Sequence, residues 1–492
     1  MFTFFYLYNF FSFNNTNIGD TMNYLELLKK ESNNSSDYVY KTIRLNNHIL
    51  NLINIETITS SNDINNFILK RISFLNDLKI TDLENYLYNY LPATSITKLK
   101  DYQELKNKLL NGFTILIIDD TSILSIETRK DLTRGVSEAD YEKTIIGPKD
   151  AFIEHFNTNL GLIRRRIKDI NLQVIDYELG VYTKTKVGII YVNGIVKESL
   201  VKEVKKKLEN INIDGIIDSG YLRKYLNQSK SLFPSLKSTE RPDVASQALL
   251  EGKIVILTDN SPDVLILPTF FVDYFHASDD YYQKPINISF IRIIRLIAFL
   301  IACFLPAFYV CITTHNPEAM PINLLLSFTK QRQSVPFPAF LEAILMIIAF
   351  EILRESDIRI PSSLGTAVSI LGGLVLGDAA VSAGIVSPIM IIVVAISAIS
   401  GLLMPSIEAI NSIRWYRFIL IILASIFGGF GIFLGTILIL ANLAEMKSQG
   451  VDYLYPFAPI NFEELKDSIL RIPSRKAKKR NPLLSNNKIR GV

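Results

Sequence analysis

The chain has few of the residues that build covalent or metal-held frameworks. Cys303 and Cys311 are its only cysteines, and His48, His155, His276 and His315 its only histidines. Two cysteines in one apolar stretch imply no disulfide framework, and the scattered histidines lack metal-ligand spacing. The cysteines read as small apolar fillers. There is no glycine loop of the P-loop type, no His-Glu-x-x-His, no Cys-x-x-Cys and no nucleophile elbow. An enzyme is therefore not expected, and no catalytic, cofactor-binding or metal-binding residue is assigned. Charge of one sign is scarce too: 52 Lys+Arg against 48 Asp+Glu leave a net +4. No folded nucleic-acid-binding module surrounds the one basic run, so no nucleic-acid partner is expected.

Long apolar runs are missing up to residue 287 and dominate from 288 to 441. A hydrophobic content of 49% and a mean hydropathy of +0.24 suit such a split chain. Residues 290–313 hold enough apolar residues for a ~30 Å hydrocarbon core, with Arg292 and Arg295 at the start. The segment after Leu470 carries Arg471, Arg475, Lys476, Lys478, Lys479, Arg480, Lys488 and Arg490 with no acid. Positive charge at both ends places both in the cytoplasm and makes the number of crossings even. Four are expected, the last two at 384–404 and 416–443. The basic tail reads as a surface for anionic lipid headgroups, at about 1 kcal/mol per residue.

The middle of the apolar region carries acids. Glu342 and Glu351 fall within 337–353, and a carboxylate in hydrocarbon costs ~2.5–3.5 kcal/mol unless turned toward protein or water. Glu351, beside Arg354 and Glu355, reads as interfacial or interhelical; Glu342 is the functional candidate. Residues 362–385 combine Gly365, Gly372, Gly373, Gly377 and Gly384 with Asp378. Small residues at this density permit close helix contact, and irregular backbone at membrane depth is tolerated where it lines a cavity. The stretch is expected to be a broken or re-entrant helix; the alternative is a tight helix interface with Asp378 in water.

The first 37 residues form an aromatic segment and a polar linker, with Met22 the expected translation start. Beyond them lies a duplication. Residues 110–119 (LNGFTILIID) recur as 250–259 (LEGKIVILTD), each a glycine leading into a buried strand closed by Asp. A further strand and an amphipathic helix precede each copy, at 48–55 and 64–75, then at 187–192 and 198–208. Between the copies, Gly147-Pro148 predicts a helix start, with Phe152, Phe156, Leu160, Ile163 and Ile167 on one face. Arg164, Arg165 and Arg166 close that helix. They either complement its dipole or meet a neighbouring subunit.

The expected class is α+β/α: a cytoplasmic pair of duplicated α/β subdomains followed by a polytopic helical membrane domain. The divisions are 1–37, 38–146, 147–175 (connecting helix), 176–287, 288–445 (about four spans plus the broken segment) and 446–492 (basic tail).

The order of short motifs resembles the GerA-type spore germinant receptor A subunits. The matching runs are Arg134-Gly135-Val136-Ser137-Glu138, Gly147-Pro148-Lys149-Asp150-Ala151-Phe152 and Leu162-Ile163-Arg164-Arg165-Arg166. Thr239-Glu240-Arg241-Pro242-Asp243, Asp279-Asp280-Tyr281-Tyr282, Val335-Pro336-Phe337-Pro338 and Ala383-Gly384-Ile385-Val386-Ser387-Pro388 continue them. Ala139 and Asp357 depart from the family pattern. The resemblance implies a nutrient receptor subunit in the spore inner membrane, partnered by a transporter-like B subunit and a lipoprotein C subunit. It also implies a homo-oligomeric, germinant-gated cation channel. Glu342, Gly372, Gly373, Gly377, Asp378, Ser387 and Pro388 are then the candidate pore or gating residues, and Arg164, Arg165 and Arg166 the candidate subunit contact. A stage V sporulation AF-like paralogue and a non-conducting membrane scaffold are the alternatives.

Overall fold

The computed structural model describes residues 24–33, 35–45, 48–75, 82–132, 139, 142, 144–227, 231–359, 373, 377–471, 479–486 and 489–490. Strands β1 (Tyr38–Leu45), β2 (His48–Ile55), β3 (Ile96–Leu99), β4 (Phe113–Ile118) and β5 (Ser122–Glu127) form one sheet, in the order β1-β2-β4-β5-β3. Strands β6 (Leu172–Leu179), β7 (Thr185–Val192), β8 (Lys237–Thr239), β9 (Ile254–Thr258) and β10 (Val264–Leu267) repeat that order as β6-β7-β9-β10-β8. Every neighbouring pair is antiparallel.

Helices fall at matching places. In the first half a helical stretch at 61–73 and α2 (Leu83–Tyr90) separate β2 from β3, and α3 (Tyr102–Leu110) separates β3 from β4. In the second half α5 (Glu198–Glu209) and α6 (Ser219–Leu226) take the first place and α7 (Pro242–Leu250) the second. The duplication thus extends through both subdomains. Gly112 (φ +84°) and Gly252 (φ +93°) occupy equivalent turns whose left-handed backbone favours glycine.

Alternation along the strands sorts side chains into layers. Val255, Leu257, Ile115 and Ile117 face a shared centre, while Ile254, Ile256, Leu116 and Ile118 face outward. The centre holds α1 (Tyr24–Ser32), α3, α7 and α4 (Phe156–Arg166), clamped between the sheets through Leu28, Leu105, Leu109, Leu160, Ile163 and Leu249.

Helix α4 begins at Phe156, not at Gly147-Pro148 as its sequence suggests. The preceding backbone is taken by distant partners. Phe152 N donates to Glu240 O at 2.7 Å, Ile153 N to Asn159 Oδ1 at 2.8 Å, and Phe156 N to Asp259 Oδ1 at 3.1 Å.

The helical region comprises α8 (Pro285–Thr314), α9 (Ile322–Arg332), α10 (Ala339–Arg359), α11 (Pro388–Leu402) and α12 (Ile407–Glu445). Among the described residues, α8 and α12 are long and apolar enough to cross a membrane. The single span read at 416–443 is corrected: α12 is a hairpin of two helical arms turned at Gly428, whose φ of +57° and ψ of −136° are non-helical. A Cβ on Gly435 would stand 2.8 Å from Leu420 Cδ2, a contact possible only when the chain doubles back, since a straight helix would separate them by ~22 Å. Both arms end at the sheet module. Glu408 Oε1 accepts from Arg223 Nη1 at 3.0 Å, and Asn442 Oδ1 from Ser231 Oγ at 2.6 Å.

The described residues beyond 445 do not form a free tail. The β11 (Lys447–Ser448) and β12 (Val451–Asp452) pair leads to Tyr453, which is fully buried beside Phe271 and Tyr274. Helix α13 (Phe462–Ile469) follows, and Leu484 then enters the second subdomain's outer core. Arg471 sits 4.4 Å over the Tyr281 ring, and Arg480 Nε donates to Leu250 O at 2.9 Å.

Candidate functional site

Three breaks in regular helix meet around Glu342. Helix α9 ends at Arg332, α10 starts at Ala339, and α11 starts at Pro388 behind Ser387. Proline at the first helical position suits its missing N–H. Ser387 caps the helix, its Oγ accepting from Met390 N at 3.4 Å. Just before it, Gly384 adopts φ +65°, and a Cβ there would stand 3.1 Å from Ser334 O. The chain therefore stops being helical between 382 and 388.

Glu342 joins these ends. Its Oε2 accepts from Ser387 N and from Ser387 Oγ, each at 2.9 Å, and its Oε1 lies 3.3 Å from both Arg332 Nε and Nη2. The carboxylate is 0% exposed, against 23% for the Arg332 side chain. A buried carboxylate that ends a helix dipole and carries its own cation is held firmly. Tyr309 of α8 reaches the same spot, its hydroxyl 3.5 Å from Ser387 Oγ. The arrangement is a latch: shifting α11 away from α10 strips Glu342 of both serine bonds at once.

Glu342, Ser387 and Pro388 are thus brought together. Gly373 and Asp378 are exposed, and a Cβ on Gly373 or Gly377 would meet nothing within 4 Å among the described residues. Gly372 lies outside the described residues. Glu351 stands apart, 3.0 Å from both Arg354 Nη2 and Arg414 Nε. Sequence reasoning did not assign Arg332 or Arg414, although any charge in an apolar helix signals a fixed partner.

The junction between sheets and helices carries its own ion pairs. Asp280 is 0% exposed and holds Arg292 Nε and Arg295 Nη1 at 3.0 Å each. Of the candidate contact run, Arg164 turns inward at 1% exposure to pair with Asp37. Arg166 binds Asp150 at 2.6 Å, and Arg165 keeps 44% of its side chain exposed, 3.3 Å from the same carboxylate. The histidines hold hydrogen bonds: His48 with Asp119, His155 with Thr158, His276 with Ser468 O and His315 with Ser425 O.

A sequence profile of the Bacillus/Clostridium GerA spore germination protein family matches residues 26–483. The chain belongs to the GerA spore germination protein family. Spore germination protein KA of Bacillus subtilis is 38% identical over 90% of this chain and 83% of its own length. Spore germination protein GerQA of Bacillus cereus is 34% identical over 95% of this chain and 92% of its own. A crystal structure of the N-terminal domain of the A subunit of the Bacillus megaterium spore germinant receptor GerK3 is 30% identical, covering 50% of this chain and 94% of that one, with a TM-score of 0.37. The GerA match takes in both sheets, the latch residues and the segment after α12 as far as residue 483.

Proposed function

We propose that this GerA-family chain is the A subunit of a nutrient-germinant receptor, several times membrane-crossing, in the spore inner membrane. In this reading it assembles with a transporter-like B subunit and a lipoprotein C subunit, oligomerises, and forms a germinant-gated cation path that triggers germination. The observation that carries the reading is the family match across nearly the whole chain. The two arms of α12 add an even pair of crossings, and the return of residues 446–471 and 479–486 to the sheet module favours both ends on the cytoplasmic side.

The Glu342–Ser387 latch supplies the two-state element such a gate requires. Closed, Glu342 holds the start of α11; open, α11 moves and Gly373, Gly377 and Asp378 line the path. Asp378, exposed and acidic, favours cations. Germinant binding in the B subunit biases the latch.

The test is cation flux from liposomes holding the purified chain, alone and with its B and C partners. Wild type is expected to conduct only in the complex, Asp378→Asn to conduct less, and Glu342→Gln to conduct without germinant. A second reading, a non-conducting scaffold, is favoured by the complete burial of Glu342. Absence of flux in every combination would select it. Gene neighbourhood separates a receptor subunit from a stage V sporulation AF-like paralogue.

A further inference from the structure

Buried guanidinium groups in native proteins find partners, because leaving one unmet costs several kcal/mol. Arg417, in the first arm of α12, does so incompletely. It is 3% exposed, and neither its Nε nor its Nη1 has a hydrogen-bond partner among the described residues. Arg414 lies one turn before it on the same helix face. Across from them, α10 offers Glu351 and Arg354, also one turn apart. Glu351 Oε2 lies 3.0 Å from both Arg354 Nη2 and Arg414 Nε, yet Arg354 Nε remains unmet among the described residues. Among the same residues Glu351 Oε1 is unmet as well. Turning it toward Arg417 would still leave three guanidiniums sharing one carboxylate. Such a cluster is short of negative charge and rich in unspent forked donors.

We propose that Arg354, Arg414 and Arg417 form a binding site for a phosphate oxyanion between α10 and α12. Guanidinium forks match phosphate oxygens in pairs, which a point-charge ammonium does not. The phosphate can belong to an anionic lipid headgroup or be free in solution, and two observations favour the lipid. Arg414 follows Glu408, the residue tied to the sheet module, by ~9 Å along the helix. Trp415, next to it, is 55% exposed, as suits an indole at a headgroup layer. The lipid source rests on the membrane-crossing reading above; the oxyanion site does not.

The test uses the full chain purified in detergent, its thermal stability titrated with short-chain phosphatidylglycerol, with inorganic phosphate, and with diacylglycerol of the same chain length. Saturable stabilisation by phosphatidylglycerol alone identifies a headgroup site; stabilisation by inorganic phosphate as well identifies a site open to the free ion. Arg417→Gln is expected to weaken the phosphatidylglycerol response roughly tenfold or more. Glu351→Gln removes the competing carboxylate and is expected to strengthen it, which a misfolded protein could not do. The site is refuted if diacylglycerol acts as strongly as phosphatidylglycerol, if no phosphate compound acts, or if both variants respond like wild type. A chain that fails to float with liposomes but still responds to phosphate in detergent would overturn the membrane reading and leave the site standing.

Discussion

Arg164 and Asp37, 127 residues apart, form a two-pronged ion pair with Nε and Nη2 at 2.7 and 2.8 Å from the two carboxylate oxygens. Arg164 also donates to Leu172 O at 2.8 Å, so one side chain of the central helix ties the start of β1 to the start of β6. Asp37→Ala leaves a buried cation and is expected to cost about 3–5 kcal/mol, with Asp37→Ala/Arg164→Met recovering much of it. Chemical denaturation of the full chain in detergent checks this. A loss under ~1 kcal/mol, as for exposed pairs, would remove the clamp from the account of how the halves are joined.

The hairpin at Gly428 makes a second prediction. A Cβ there would stand 2.9 Å from His315 Cβ and Cγ, on a backbone that side chains rarely adopt. Gly428→Ala is expected to cost at least about 1–3 kcal/mol. Gly429→Ala, whose Cβ would meet Cys311 Sγ at 3.8 Å, an ordinary contact, is expected to be near neutral. Equal thermal shifts for the two would contradict the turn. Single cysteines at Asn411 and Asn442 should both label from the same side of sealed vesicles.

His276 links stability to pH. Burial and the neighbouring Arg292 and Lys237 hold its imidazole well below the ordinary 6.5, against the pull of the Ser468 carbonyl and Asp273. The unfolded chain therefore binds more protons below about pH 6.5, and stability falls as pH drops through that value. A melting series from about pH 7.5 to about pH 5.5 should show His276→Gln losing less than wild type. Parallel curves would exonerate this residue.

The returning segment gives the fourth. Leu484 is 1% exposed, its carbonyl accepts from Lys197 N at 2.9 Å, and Ser485 Oγ donates to Ile195 O at 2.6 Å. Leu484→Ala is expected to cost about 2–5 kcal/mol. It should also free residues 479–486 for proteolysis and speed hydrogen exchange at 195–197. Unchanged exchange there would show that the segment is not held by this contact.

Much of this was legible in the sequence where the signal is local. The repeated glycine-strand-Asp segment announced the duplication because a buried strand writes its own apolar run. Glu342 stood out because a carboxylate among apolar residues needs a partner, although nothing nearby in sequence named Ser387. The failures were all long-range. Gly147-Pro148 looks like a helix start, but Phe152, Ile153 and Phe156 give their backbone donors to Glu240, Asn159 and Asp259 instead. Residues 416–443 read as one span because the hydropathy of a hairpin equals that of a rod, and only the pair of glycines at 428 and 429 hinted otherwise. The basic tail read as free because its contacts, from Tyr453 to Leu484, are made with residues read far earlier.

The seating of Leu484 has a consequence for the order of synthesis. Chains fold from the N-terminus as they emerge, and the first subdomain draws its sheet from residues 38–127 alone. The second covers its outer face largely with its own α5 and α6, but the place of Leu484 stays empty until every apolar helix and the segment that carries Leu484 have been made. A chain cut short in the helical region lacks Val451, Tyr455 and Leu484, so its second subdomain keeps a local apolar gap that only the later segment fills.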